Sequence, residues 1–260
     1  MDEPTSAPAA MAAGATPSPW ADAFRAVLGL FLPVRCLGCE RPDHALCPAC
    51  RADLDRRPRR VRLVAGVRLD AAWEYEGLVR TLLLELKLRG RVDVARPLGA
   101  RYGALVRAAL AEAPPGTVLL RVPPSRQGAR RRGFDPVVLL LARGGVRARG
   151  GRWSSRSRRS GLSGAGRERV VARLRRRPSG WRGRRALGRS DRGAGQKERT
   201  AVERVDATVG SLLASGVAGR DVVVVDDVVT TGVTMAEAVR AVRQAGGRVV
   251  RCVAVASVER

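Results

Sequence analysis

Apolar positions along this chain recur with two periods, and the periods alternate. Val67, Leu69, Ala71, Trp73 and Tyr75 fall at every second position, as on a strand with one face toward a core. Residues 78–88 and 95–110 read as helices. Pro114-Pro115-Gly116 marks a turn, 117–122 a short buried strand, 123–133 a basic loop, and 134–142 a further helix. Near the C-terminus, 202–213 reads as helix, 221–225 as strand, 235–245 as helix and 248–257 as strand. Alternating strand and helix predict an α/β domain on a mainly parallel sheet flanked by helices. At the other end, 1–19 is rich in Ala, Pro, Ser and Thr and is expected to be disordered. Trp20, Ala23, Phe24, Val27, Leu28 and Phe31 predict a short amphipathic helix over 20–32.

The pattern becomes chemistry at 222–234. Four valines end in Asp226 and Asp227, and Thr230, Thr231, Gly232, Val233 and Thr234 then turn into the helix. In an open parallel sheet, ligands bind beyond the carboxyl ends of the strands. Successive strand residues point oppositely, so the two acids reach different parts of one ligand. Carboxylates accept from vicinal hydroxyls and help to hold Mg²⁺. Gly232 lets backbone amides approach a phosphate, and the helix N-terminus favours its charge. An acid pair by itself serves as readily to cap a turn, with Thr234 as helix cap. The whole string favours a ligand carrying a diol and a phosphate. It contains no lysine, unlike a Walker A loop.

A second candidate lies upstream. Val122-Pro123-Pro124-Ser125-Arg126 joins a rigid turn to a hydroxyl and a guanidinium, and Arg130-Arg131-Arg132-Gly133-Phe134 follows. Such a turn suits an anion, although a basic surface loop looks the same in isolation. Cys36-x2-Cys39-x7-Cys47-x2-Cys50 is a third candidate. Two C-x-x-C knuckles present four thiolates, the donor set of a closed structural Zn²⁺ site. His44, the single histidine, is expected in a solvent-exposed turn, and Cys252 in a buried strand.

Charge changes the picture in one place. The net charge is +25, and residues 143–192 hold 18 arginines against two acids, a balance of +16. An arginine-rich stretch carrying Trp153 and Trp181 fits single-stranded nucleic acid, but also a solvated insertion. Out-of-frame reading of GC-rich DNA gives the same composition, so 143–193 is either an Arg/Gly-rich insertion or an anomalous segment. No stretch reaches the ~18–20 apolar residues of a membrane span. Residues 26–33 are too short and lack a small-residue cleavage site, so no signal peptide is read and the cytoplasm is expected. The organisation expected is a disordered 1–19, a helix and cysteine module over 20–60, and an α/β domain over 61–260.

The string from Asp226 to Thr234 resembles the phosphoribosyl pyrophosphate (PRPP) signature of type I phosphoribosyltransferases. The V-P-P-S-R and R-R-G-F segments, Tyr75-Glu76-Gly77, Leu86-Lys87-Leu88-Arg89-Gly90 and the leading cysteine module resemble the ComF family. The resemblance implies a type I phosphoribosyltransferase fold with a small N-terminal four-cysteine zinc module. It implies PRPP and Mg²⁺ as ligands. Asp226 and Asp227 would be the catalytic acids on the ribose, 230–234 the phosphate cradle, and Pro124, Ser125, Arg126 and Arg132 the pyrophosphate site. ComF proteins are associated with natural competence, which implies single-stranded DNA or a competence helicase as partners. Asp135 stands where many relatives carry Asn, which leaves the role of that position open.

Overall fold

The computed structural model describes residues 34–146, 148–149, 152–153, 172–177 and 210–258. The expectations for 1–19, for the helix at 20–32 and for most of 143–193 lie outside the described residues. The chain separates into two compact units, Met1–Cys47 and Pro48–Arg260. In the first, Arg35 bridges to Pro42, and the Cys36 N–H donates to Arg41 O at 2.8 Å, closing a tight knuckle.

The second unit is mixed α/β. Its main elements are α1 (Pro48–Arg56), β1 (Arg60–Val64), β2 (Val67–Glu74), α2 (Gly77–Leu88), α3 (Ala95–Glu112), β3 (Val118–Arg121), α4 (Arg126–Arg132) and α5 (Pro136–Arg143). Two-residue strands β4 (Ala148–Arg149) and β5 (Arg152–Trp153) pair with each other. Then come β6 (Arg173–Arg176), β7 (Leu212–Ser215), β8 (Asp221–Val229), α6 (Val233–Gln244) and β9 (Arg248–Ser257). The central sheet has the order β1-β2-β9-β8-β3, and only the β1–β2 edge pair is antiparallel.

A parallel strand covered on both faces is apolar on both, which is why β8 opens on four buried valines. Val222 and Val224 pack with Met235, Val239 and Val242 of α6, together with Cys252 of β9. Val223 and Val225 point to the opposite face by strand alternation, and α3 and α5 pack against β8. Burial lifts the Cys252 thiol to about 12, so it stays a neutral core group. Trp73 is buried and its indole N–H donates to Leu54 O at 2.8 Å, tying α1 to β2.

Several elements escaped the periodicity. Residues 126–132 form a helix instead of a loop, because Ser125 caps it by accepting from the Gly128 N–H at 3.1 Å. Leu212 and Leu213, expected to end a helix, lie in β7, which pairs antiparallel with β6. Glu237 and Arg240 of α6 bind the Leu212 N–H and C=O at 3.0 and 3.4 Å, and that tertiary grip replaces helical bonding there. Within the arginine-rich stretch, Leu174 of β6 joins the core.

The crossing of α3 and α5 depends on three glycines. A Cβ on Gly99 would lie 2.5 Å from Leu140 O, and a Cβ on Gly103 would collide with the backbone of Gly144. Gly103→Ala is expected to destabilise the domain by about 1–3 kcal/mol, the usual cost of overpacking. Urea denaturation checks this, and an unchanged midpoint would refute it.

Candidate functional site

The site begins where two neighbouring strands end at different places. β3 is paired to β8 as far as Arg121↔Val225, and the Val122 N–H still donates to Val225 O at 2.8 Å. Pro123 and Pro124 follow and have no N–H to continue the ladder. β8 runs on through Asp226 to Val229, still paired to β9. The strand therefore ends four residues beyond the point expected from the sequence, and the acids sit on the strand itself with an open edge beside them.

A cavity of about 240 Å³ occupies that opening. Its wall brings together Pro124, Ser125, Arg132, Asp226, Asp227 and Thr234, six of the residues singled out in the sequence. Thr230, Thr231, Gly232 and Val233 are adjacent but do not form its wall. Arg126 opens α4, and its side chain lies outside the described residues. Lys87, Asp135 and Arg176 also line the cavity and had no role assigned from the sequence.

Each of those three has a structural reason to be there. α2 ends at Leu88, with Gly90 in the left-handed region at φ 68°, so Lys87 sits in the last helical turn. A cation there is favoured by the helix dipole, and its Nζ lies 2.8 Å from Asp227 Oδ1. Asp135 caps α5 by accepting from the N–H groups of Val137 and Val138 at 3.0 and 3.3 Å, and it pairs with Arg121. An Asn at this position would keep the cap and lose the ion pair. Arg176 donates through Nε to the carbonyls of Pro123 and Pro124 at 3.2 and 3.1 Å.

Two adjacent acids at an enclosed strand end repel each other. Burial pushes the Asp226 carboxyl well above the ordinary carboxylate range, and the neighbouring Asp227 charge adds to the rise. The Asp227 N–H, which donates to Asp226 Oδ1 at 2.8 Å, opposes it, as do Lys87 and Arg176. Behind the acids, buried Tyr102 donates to the Asp226 carbonyl at 3.1 Å. Burial and then the Asp226 charge hold its phenol far above its usual value, so it remains a donor.

The turn after β8 is held from the sheet edge. Arg62 on β1 donates to Thr230 O at 2.9 Å and Val229 O at 3.3 Å. Gly232 precedes α6 at φ 82°, a region that disfavours side chains, and no side chain caps the helix there. Thr231 Oγ1 accepts from the Val233 N–H at 3.4 Å. The first N–H groups of α6 thus open beside Thr234 and the cavity.

The four cysteines form a separate cluster. The sulfurs of Cys36, Cys39, Cys47 and Cys50 lie within 4.8 Å of one another, a donor set with the composition of a tetrahedral thiolate site. Burial would raise the Cys36 thiol, but N–H groups of Cys47 and Gly38, 3.3 and 3.4 Å from its sulfur, prevail and bring it down to about 6. Donors on sulfur of this kind also stabilise metal-bound thiolate. His44 is exposed, as expected.

Comparison with known families adds one result. Residues 185–260 match the family model described as the phosphoribosyl transferase domain. Among the described elements the match takes in β7, β8, α6 and β9, and with them the acid pair and the turn to α6. It supports a type I phosphoribosyltransferase-like family for this part of the chain. No curated protein matches it. No described helix is long and apolar enough to cross a membrane.

The raised carboxyl has a measurable consequence. A group whose folded-state pKa is raised costs stability once the pH exceeds its unfolded value, and the cost disappears below that value. Asp226→Asn keeps an oxygen for the Asp227 N–H and removes the titration. The variant is expected to melt higher than the parent at pH 8, by a margin that shrinks as the pH falls toward 4. A margin that grew on acidification would contradict the assignment.

Proposed function

We propose that this chain binds PRPP with Mg²⁺ and transfers its phosphoribosyl group to an acceptor, releasing diphosphate. The observation carrying the proposal is the single cavity wall shared by the Asp226–Asp227 pair, the start of α6 and the Pro124–Ser125 turn. In this reading Asp226 and Asp227 hold the ribose hydroxyls. The backbone from Thr230 to Thr234 and the first amides of α6 hold the 5-phosphate. Pro124, Ser125, Arg126 and Arg132 receive the diphosphate. Mg²⁺ supplies neutralisation of the diphosphate charge when bound.

The chemistry asks little of the protein beyond positioning and electrostatics. The C1–O bond breaks, diphosphate leaves with the electron pair, and a lone pair of the acceptor forms the new bond at C1. Positive charge develops on the sugar as the bond breaks, and in this reading the acid pair on the ribose hydroxyls would stabilise it. Lys87 pairs with Asp227 at 2.8 Å, and Ser125, whose oxygen already accepts from Gly128, retains its hydroxyl hydrogen for an anion.

Two finer features belong to the same proposal. The four-cysteine cluster holds a structural Zn²⁺ and, with the segments that resemble ComF, marks a cytoplasmic ComF-like protein. The balance of +16 over 143–192 favours a second reading, a nucleotide-sensing adaptor that handles single-stranded DNA in natural competence.

PRPP with Mg²⁺ is expected to raise the melting temperature of the parent and not of the Asp226→Asn, Asp227→Asn double variant. No shift in the parent would remove the PRPP reading. Salt-sensitive single-strand binding that survives the double substitution would establish the second. Separately, the purified chain is expected to carry about one zinc ion, by the four-thiolate rule. Four thiols should become reactive only after chelation, and thiols open to modification in the metal-loaded protein would refute the site.

A further inference from the structure

The cavity contains a guanidinium that neither the sequence motifs nor the proposed function uses. Arg176 belongs to β6, inside the arginine-rich stretch that otherwise reads as an insertion. Leu174 buries on the core side of that strand, and pairing with β7 fixes its register from Arg173↔Ser215 to Arg176↔Leu212. Arg176 is therefore delivered by a sheet element and not by a loose tail.

Its two ends do different things. Nε is spent on the carbonyls of Pro123 and Pro124, which fixes the plane of the group against the turn. The two Nη groups have no hydrogen-bond partner among the described residues, and the side chain lines the cavity. A half-buried guanidinium that is anchored at one edge and open at the other is a preformed fork for a bidentate anion. Arg132 lines the same cavity. Its Nε is buried and without a partner among the described residues. Arg132 folds back over Gly128, where a Cβ would lie 2.9 Å from its Nη2. Two guanidinium groups with unused donors thus face one space beside the Pro123–Ser125 turn. Burial lowers the Arg176 pKa, in keeping with a cation partly stripped of water, while Asp226 counters the effect.

We propose that Arg176 is a diphosphate-binding residue that receives the leaving group together with Arg132, so that residues 172–177 are part of the substrate site. This rests on the PRPP reading for the identity of the whole substrate, but the anion site can be tested without it. The required anion is a diphosphate because two forks with unused donors need several acceptor oxygens.

The test is titration calorimetry on the full chain and Arg176→Gln, with Mg²⁺-pyrophosphate, Mg²⁺-PRPP and ribose 5-phosphate as separate ligands, at two ionic strengths. Arg176→Gln is expected to weaken pyrophosphate and PRPP by about 10- to 100-fold, the scale of charged hydrogen bonds. Ribose 5-phosphate should change by less than about twofold, the variation expected where no contact is lost. The ionic-strength dependence of pyrophosphate binding should flatten, because one charge has gone. Unchanged pyrophosphate affinity, an equal loss for ribose 5-phosphate, or an unchanged salt dependence would each overturn the proposal. The last outcome would make Arg176 only a brace for the turn. A parent that binds pyrophosphate through Arg176 but not PRPP would overturn the PRPP reading and leave the anion site standing. If Arg176→Gln does not fold, Arg176→Lys replaces it. Loss of the fork with the charge kept should still weaken pyrophosphate by about threefold or more, and an unweakened Lys variant would overturn the role.

Discussion

Two consecutive prolines set the opening at the edge of this sheet. β3 stops pairing with β8 because Pro123 and Pro124 cannot donate, while β8 carries its ladder to β9 four residues further. The mismatch leaves the β8 edge without a neighbouring strand beyond Val225. The carbonyls of the same prolines are not left idle, since Arg176 binds both. Tyr102 supports the exposed strand from behind at the Asp226 carbonyl. One pair of residues thus ends a strand, creates the opening and anchors a cation at its rim.

Opposed charges line that opening. Asp226 and Asp227 are adjacent and enclosed, and Lys87 and Arg176 answer them from α2 and β6. A fold optimised only for stability would not retain a carboxyl whose ionisation is disfavoured by burial and by its neighbour. The local strain is electrostatic, and the surrounding structure tolerates it because β8 is gripped over its whole length by β9. Asp135, by contrast, is fully engaged as a cap and ion-pair partner, which accounts for an acid at that position without any need for contact with a ligand.

The central strands and long helices were legible because their burial is periodic. Val222–Val225, Val67–Trp73 and the stretches at 78–88 and 95–110 each carry their own pattern. The acid pair and its glycine turn were legible as chemistry, since the spacing is local. Partners from distant parts of the chain were not. Nothing near residue 176 announces that its side chain will meet residues 123 and 124. Leu212 looks helical until Glu237 takes its N–H. For Lys87 a signal existed: the chain holds two lysines against 47 arginines, so a compact ammonium in place of the prevailing guanidinium was conspicuous. Strand β1 was missed because Arg60 and Arg62 interrupt the apolar run, although Arg62 is the residue that steadies the turn at Thr230.

The grip of Glu237 and Arg240 on Leu212 reaches further than helix packing. It welds β7, and through β7 the strand that carries Arg176, to the same helix whose first turn opens beside Thr234. Two residues of the cavity wall, Arg176 and Thr234, are therefore joined through α6 and the β6–β7 pair. They share one support, although they come from parts of the chain more than fifty residues apart.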